Sequence, residues 1–127
     1  MPTKSSKDMV AEASSAVETF PVEQAIAMAG DPGVVFVDVR EGSEREKGTV
    51  KGSVHASRGF LEFHADPASP MHKPELASGK KLVLFCGSGG RSALAAKTLK
   101  DMGVQNVAHV AGGFGAWQKA GGPTQGG

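Results

Sequence analysis

The feature that most constrains the fold is an alternation of short apolar runs, rich in β-branched residues, with segments of helical periodicity. Residues 34–39, 81–85 and 107–110 are typical of strands that are buried on both faces of a sheet. Apolar residues recur at helical spacing in residues 21–29 and 91–102. Strands that alternate with helices form βαβ units. The sequence therefore predicts an α/β fold with a mainly parallel central sheet and helices on both faces.

The length of the chain limits its domain organisation. A chain of 127 residues is enough for one domain with short tails. Residues 1–16 are mostly small and polar, and we expect them to form a flexible N-terminal arm. Residues 17–122 carry the strand and helix patterns and are expected to form the folded domain. Residues 123–127, which are rich in glycine, are expected to form a flexible C-terminal tail.

Charge and apolar content exclude several partners. Fourteen Lys and Arg oppose thirteen Asp and Glu, so the net charge is only +1. Binding to nucleic acid or to an anionic membrane surface needs a basic field, so we expect neither partner. No apolar run approaches the roughly 18 residues of a membrane-spanning helix. The single cysteine, Cys86, cannot form an internal disulfide and suits a reducing compartment, so we expect a cytoplasmic protein.

A glycine-rich loop after the 81–85 strand carries the residues with chemical potential. The loop consists of Cys86, Gly87, Ser88, Gly89, Gly90, Arg91 and Ser92. Its glycines allow successive backbone N–H groups to turn inward and bind an anion, and the following helix begins with its positive end at the loop. Arg91 adds a positive charge, and N–H donors and positive charge lower the pKa of a thiol. The pattern predicts that Cys86 is a partly exposed nucleophile and that residues 87–92 bind its anionic substrate.

The common cofactor signatures are absent from the sequence. A dinucleotide-binding fingerprint needs a glycine where Ser92 stands, and the Gly-Lys-Ser/Thr of a P-loop does not occur. The histidines, which are His55, His64, His72 and His109, show no metal-ligand spacing. We therefore expect no cofactor and no metal.

Four segments of the chain resemble motifs of the rhodanese family, the thiosulfate sulfurtransferase-like proteins. Residues 37–41 resemble its D-V-R motif, and residues 46–56 resemble its E-x-x-G-H-I-x-G-A segment. Residues 86–92 resemble its catalytic loop, and residues 106–117 resemble its closing N-V-x-x-L-x-G-G-x-x-x-W segment. The resemblance covers roughly residues 17–122 and implies a rhodanese-like fold.

The resemblance also implies a reaction. In similar proteins the loop cysteine, here Cys86, takes a sulfane sulfur from a donor, becomes a persulfide and passes the sulfur to a thiophilic acceptor. The implied partners are a small anionic donor such as thiosulfate, or a protein or low-molecular-weight persulfide, together with a thiol acceptor. The chain departs from the family at Thr49, where a histidine is usual, and at Gly87, where many relatives carry a basic residue. Arg91 is then the loop's own cation.

Three residues outside the loop are supporting candidates. Asp38 ends the 34–39 strand, and we expect its carboxylate to fasten the strand end or the loop by hydrogen bonds. Arg40 is expected to form a surface ion pair with a neighbouring glutamate. Arg58 precedes an apolar segment and is a candidate for lining the pocket.

Two other functions remain open. A cysteine-based phosphatase or arsenate reductase could use a similar loop, but such phosphatases typically have C-x5-R. Cys86 to Arg91 is C-x4-R, which is one residue shorter and favours sulfur chemistry over a tetrahedral oxyanion. A non-catalytic binding module, or a sulfur carrier that hands a persulfide between proteins, is the other alternative. Binding modules of this kind often lack the cysteine, which is present here.

Overall fold

The structure is a computed structural model that describes residues 3–126. The strands are β1 (Glu18–Phe20), β2 (Val34–Asp38), β3 (Thr49–Val50), β4 (Val54–His55), β5 (Lys81–Phe85), β6 (Val107–Val110) and β7 (Thr124–Gln125). The helices are α1 (Ser6–Ala16), α2 (Val22–Ala27), α3 (Gly42–Arg45), α4 (Leu61–Ala65), α5 (Gly90–Asp101) and α6 (Gly113–Lys119), with 3₁₀ turns at Arg58–Phe60 and Pro74–Ala77.

The central sheet is parallel throughout. Its strands lie in the order β1-β6-β5-β2-β4, and β3 and β7 form a separate antiparallel pair. Strands β2 and β5 pair over their full length, from Val34 opposite Lys81 to Asp38 opposite Phe85. Because parallel strands end at the same edge of a sheet, the segments that follow Asp38, Phe85 and Val110 meet there.

Two apolar cores cover the two faces of this sheet. The core under α4 and α5 includes Val37, Leu61, Leu82, Leu84 and Leu99. The core under α2 and α6 includes Phe20, Phe36, Val83, Phe85 and Trp117. The predicted mainly parallel sheet with helices on both faces is therefore confirmed. Side chains alternate between faces along a strand, so Cys86, in phase with Leu82 and Leu84, lies on the face that α5 covers.

The N-terminal segment differs from the expected flexible arm. Residues 6–16 form helix α1, which begins with a capping box: Asp8 N–H donates to Ser5 Oγ at 3.0 Å, and Ser5 N–H donates to Asp8 Oδ2 at 3.4 Å. Ala13 on this helix has no exposed surface, because α1 packs along α5. The small side chains that resemble a polar arm in sequence are those that let two helices approach closely. Met1 and Pro2 of the expected arm lie outside the described residues.

The C-terminal segment is also attached to the domain, where a flexible tail is expected. Strand β7 pairs with β3, and the Pro123 carbonyl accepts hydrogen bonds from Lys51 N–H at 3.1 Å and Trp117 Nε1–H at 2.9 Å. The partners in β3 and at Lys51 lie more than seventy residues away in the sequence, and the third partner is the Trp117 indole. No local pattern in residues 123–126 indicates these bonds. Gly127 of the expected tail lies outside the described residues.

The docking of α1 can be tested with two substitutions on the same helix. Ala13→Glu places a charged side chain in the contact between α1 and α5, and we expect the free energy of unfolding to fall by about 1–3 kcal/mol. Ala11→Glu is the matched control because Ala11 is exposed. Chemical denaturation of both variants measures the difference. Equal stabilities would mean that α1 does not dock on the domain in solution.

Candidate active site

The glycine-rich loop holds the Cys86 sulfur inside a ring of backbone N–H groups. Cys86 directly follows β5, and Gly89 has a φ of +115°, which turns the chain into α5. The N–H of Gly89 donates to Cys86 Sγ at 3.0 Å, and the N–H of Ser92 points to the same atom at 3.4 Å. Ser92 Oγ lies 3.6 Å from Sγ. Donors that converge on one sulfur form a site for a negatively charged sulfur atom.

These donors control the protonation of the thiol. Burial alone would raise the pKa of Cys86, because it disfavours the charged form. Hydrogen bonds from the Ser92 side chain and from the N–H groups of Ser92, Gly89 and Ser88 outweigh burial, and the pKa of the thiol falls below its usual value. The loop therefore favours the thiolate, which is the nucleophilic form of cysteine.

The turn between β6 and α6 orients the loop through hydrogen bonds to the loop backbone. The N–H of Phe114 donates to the Cys86 carbonyl at 2.7 Å, and the N–H of Gly115 donates to the Gly87 carbonyl at 3.1 Å. Both carbonyls are thereby held by the first turn of α6. A Cβ atom on Gly113 would lie 2.4 Å from the Cys86 carbonyl oxygen, so only glycine permits this close approach.

Cys86 itself is buried, where the sequence predicts a partly exposed thiol. Its exposed fraction is 1%. The prediction is wrong because the β5 alternation continues through Cys86, which places the side chain beneath the start of α5 together with Leu82 and Leu84. Of the loop residues around it, Ser88 is exposed and Gly89 is buried.

Arg91 belongs to the loop, but its side chain is paired with a carboxylate outside it. Its guanidinium donates to Glu44 Oε1 at 2.7 Å and to Glu44 Oε2 at 3.0 Å, and this pair joins α5 to α3. The Arg91 hydrogen bonds lower the pKa of Glu44 to about 2, so the carboxylate is charged at neutral pH. A Cβ on Gly87 would lie 3.3 Å from Arg91 Nη2, which means that the guanidinium lies over the position where many relatives carry a basic side chain.

Asp38, the last residue of β2, is the centre of a buried polar network. Its carboxylate accepts hydrogen bonds from Arg40 Nε at 3.0 Å, from Arg40 Nη2 at 2.9 Å and from the Thr49 hydroxyl at 2.9 Å. Arg45 Nη1 approaches the same carboxylate at 3.4 Å. Burial alone would raise the pKa of Asp38, but the bonds from Arg40 and Thr49 lower it. Thr49, where the family usually has a histidine, thus has a structural role: its hydroxyl binds the Asp38 carboxylate.

Arg40 does not form the surface ion pair that the sequence predicts. It is 5% exposed, it pairs with Asp38, and it donates to the Gly48 carbonyl at 2.7 Å. Its guanidinium also lies 4.5 Å from the centroid of the Phe114 ring. The prediction is wrong because the glutamates near Arg40 in the sequence suggest an ion pair in solvent. In the fold, Arg40 is buried and its guanidinium pairs with Asp38, at the end of β2.

Arg58, the third supporting candidate, lies away from the loop. Its guanidinium contacts Glu62 at 3.3 Å and the Thr98 hydroxyl at 3.2 Å. It borders a cleft between α1 and α5 rather than the surroundings of Cys86. Phe60 and Phe63, in the apolar segment that follows Arg58, are about half exposed.

His109 belongs to the site, although its sequence pattern predicts no role for it. It is 3% exposed and lies at the carboxyl half of β6, beside β5. Its Nδ1 is 3.1 Å from Ser92 Oγ, and its Nε2 is 3.1 Å from Thr19 Oγ1. The available signal was its place in the predicted 107–110 strand, since a parallel partner of β5 ends beside Cys86.

One cleft lies beside residues that contact the loop, and a second borders the loop itself. One, of about 260 Å³, is lined by Arg40, Ser43, Glu44, Lys47, Gly48, Phe114 and Gln118. The other, of about 250 Å³, separates α1 from the loop and is lined by Val10, Ser14, Thr19, Ser88, Gly89, Gly90, His109, Ala111 and Gly112. Within residues 3–126, no three His, Cys, Asp or Glu side chains are grouped so that they could hold a metal ion. None of the helices in this range has the length and apolar character needed to cross a bilayer.

Comparison with known protein families identifies this arrangement. A profile of the rhodanese-like domain matches residues 21–120, which is most of the chain. The chain belongs to the rhodanese-like family. The loop with Cys86, the buried network at Asp38 and the turn before α6 all lie inside the matched range.

Solved structures share the rhodanese-like fold. A protein of unknown function and possible tyrosine phosphatase from Rhodopseudomonas palustris is 48% identical, with a TM-score of 0.94 over 98% of this chain and 97% of that chain. The polysulfide-sulfur transferase homodimer of Wolinella succinogenes is 29% identical, with a TM-score of 0.71 over 94% of this chain and 85% of that chain.

Curated relatives carry a similar domain within longer proteins. A tRNA uridine(34) hydroxylase from Mesorhizobium japonicum is 36% identical over 69% of this chain and 28% of its own length. The putative sulfur carrier protein YrkF of Bacillus subtilis is 34% identical over 68% of this chain and 43% of its own length. This rhodanese-like chain therefore spans less than half the length of these relatives.

The contact of α6 with the loop predicts different effects for two glycine substitutions. Gly113 and Gly103 both have positive φ, but a Cβ on Gly103 would meet nothing within 4 Å. We expect Gly103→Ala to cost about 1–2 kcal/mol of backbone strain. Gly113→Ala should cost more and should also raise the thiol pKa, because the displaced Cys86 peptide disturbs the donors around Sγ.

Both properties of these variants can be measured directly. Chemical denaturation gives the stability, and ultraviolet absorbance of the thiolate against pH gives the thiol pKa. The chain has one cysteine and no tyrosine, so this absorbance change belongs to Cys86. An unchanged thiol pKa in Gly113→Ala would show that the contact with α6 does not shape the loop.

Proposed function

We propose that the protein is a sulfurtransferase that carries a sulfane sulfur as a persulfide on Cys86. The observation that carries the proposal is the convergence of the Gly89 and Ser92 N–H groups on Cys86 Sγ. Such donors stabilise the thiolate before the reaction and the anionic persulfide after it. The polysulfide-sulfur transferase and the putative sulfur carrier among the similar proteins support the same chemistry.

The proposed reaction has two displacement steps at sulfur. The Cys86 thiolate attacks the outer sulfur of the donor, a sulfur–sulfur bond forms, and the donor's own sulfur–sulfur bond breaks. With thiosulfate, the bonding electron pair leaves with sulfite; with a persulfide donor, it leaves as a thiolate. An acceptor thiolate or cyanide then attacks the outer persulfide sulfur, and the Cys86 thiolate is released. No electrons are gained or lost overall, so the scheme needs no redox cofactor and one cysteine is sufficient.

A cysteine-based phosphatase is the second candidate, since the 48% identical structure is that of a possible tyrosine phosphatase. The loop length argues against it. Residues 86–91 form C-x4-R, and the Arg91 guanidinium is held by Glu44 rather than directed into the loop. A planar phosphoryl group needs donors around three oxygens, whereas the donors here converge on one sulfur. We therefore propose sulfur transfer in preference to phosphatase activity. We also propose a reducing compartment such as the cytoplasm, because a free thiol is suited to it.

Persulfide formation is the first test. After incubation with thiosulfate or a low-molecular-weight persulfide, intact-mass analysis of the wild type should show the gain of one sulfur atom. Dithiothreitol should remove this gain, because a thiol accepts the outer sulfur. Cys86→Ser should fold normally and gain no mass, since a hydroxyl cannot hold a sulfane sulfur.

Phosphatase activity is measured on the same two proteins. The sulfurtransferase proposal predicts no phosphate-ester hydrolysis that depends on Cys86. A wild type that gains no sulfur from any donor but hydrolyses phosphate esters in a Cys86-dependent manner would replace the proposal with the phosphatase alternative.

The pair between Glu44 and Arg91 predicts a substitution that improves the use of an anionic donor. Glu44→Gln removes a negative charge near Cys86 and releases the Arg91 guanidinium. We expect the KM for thiosulfate to fall by about twofold to fivefold, which corresponds to a gain of up to about 1 kcal/mol from a partly exposed charge. Glu46→Gln is the matched control, since Glu46 is an exposed residue at the end of α3. The same KM in both variants would mean that Arg91 does not meet the donor.

A further inference from the structure

A line of hydrogen-bonding groups leads from the Cys86 sulfur to the opposite side of the loop. Sγ lies 3.6 Å from Ser92 Oγ, and Ser92 Oγ lies 3.1 Å from His109 Nδ1. His109 Nε2 lies 3.1 Å from Thr19 Oγ1. Ser92 and His109 are buried, whereas Thr19 is exposed at the outer end. The line therefore joins a buried thiol to solvent through groups that both donate and accept protons.

Within residues 3–126, no charged side chain is paired with His109. The cleft that it borders is lined by Val10 and Ser14 of α1, by Thr19 of β1, and by loop residues 88–90 and 111–112, none of which titrates. Leu84 is its neighbour on β5. Burial lowers the pKa of His109, so the imidazole is neutral at pH 7 and has one ring nitrogen free to accept a proton.

We propose that His109 is a positioning residue that receives the proton of the Cys86 thiol through the Ser92 hydroxyl. This inference rests on the proposed function, because it assigns the step that prepares the nucleophile. The proposal depends on the spacing of three side chains: Cys86 directly after β5, Ser92 on α5 and His109 on β6.

The proton step balances without any other reactant. The neutral imidazole carries its proton on Nε2, directed at Thr19 Oγ1, and accepts at Nδ1. The S–H proton moves to Ser92 Oγ while the Ser92 hydroxyl proton moves to His109 Nδ1. One S–H and one O–H bond break, one O–H and one N–H bond form, and the products are a thiolate and an imidazolium. The imidazolium keeps this proton, because the negative charge of the nearby thiolate stabilises it, and the pair of charges holds the thiol ionised at a lower pH than it would reach alone.

The structure also defines the competing explanation. Ser92 Oγ lies 3.2 Å from the Gly89 carbonyl, which could accept the hydroxyl proton in place of His109. In that case His109 only holds Ser92 in position by a hydrogen bond. Any side chain that keeps this hydrogen bond would then serve equally well, whether or not it can take up a proton.

The test measures the thiol pKa in variants of the intact chain. Thiolate absorbance in the ultraviolet is suitable because it does not depend on access of a reagent to the buried sulfur, and the chain has no tyrosine to mask it. His109→Leu and His109→Asn should each raise the thiol pKa by about one unit, which reduces the thiolate fraction near neutral pH about tenfold. Both variants are first checked for folding by thermal unfolding.

Two comparisons separate proton acceptance from hydrogen bonding. Asparagine can bond to Ser92 but does not titrate, so the proposal requires that His109→Asn fails to restore the wild-type pKa. Ser92→Ala breaks the middle of the line, and adding His109→Leu to it should raise the pKa no further. His64→Asn is the matched control because His64 lies on α4, away from Cys86, and its imidazole bonds to the Met71 carbonyl. An unchanged pKa in His109→Leu, full rescue by asparagine, or additive shifts would each overturn the proposal.

These measurements are independent of sulfur transfer. A raised thiol pKa in the His109 variants, together with a wild type that forms no persulfide, would support the proton path and refute the proposed function. Persulfide formation in the wild type, together with an unchanged thiol pKa in the variants, would refute the proton path alone.

Discussion

The site depends on the contact between the first turn of α6 and the two peptide groups that follow β5. The N–H groups of Phe114 and Gly115 hold the carbonyls of Cys86 and Gly87, and this fixes the direction of the loop. With the carbonyls bound, the N–H groups further along the loop are free to converge on the sulfur. The contact is possible because the Gly113 position has no side chain. One helix therefore anchors the backbone, and another, α5, begins at the sulfur itself.

The sequence was sufficient to predict the elements that are buried on both faces. Strands β5 and β6 begin and end where the apolar pattern predicts, because a continuous run of apolar residues is a local signal. Strands β1, β3 and β7 are two or three residues long, and their formation depends on distant partners such as β6 for β1. Local patterns carry little information about such strands.

The site itself was predicted by its backbone and less well by its side chains. The glycine spacing around Cys86 indicated a ring of N–H donors, since only glycine allows the turns involved. The partners of Arg40 and Arg91 were not predictable. Arg40 has several glutamates nearby in sequence but pairs with Asp38, and Arg91 pairs with Glu44, which lies far away in the chain. The role of His109 was missed because its contacts come from α5 and β1, far away in the chain.

The depth of Cys86 has a consequence for the fate of the thiol between reactions. A thiolate on a protein surface is readily oxidised to sulfenic and higher acids and readily joins with thiols of other proteins. With 1% of its surface exposed, Cys86 cannot be approached by a bulky oxidant or by the cysteine of a second copy of the chain. The fold thus allows the sulfur to ionise while it shields the thiolate from oxidation and from mixed disulfides. A compact sulfur species is the kind of reactant that this enclosure admits.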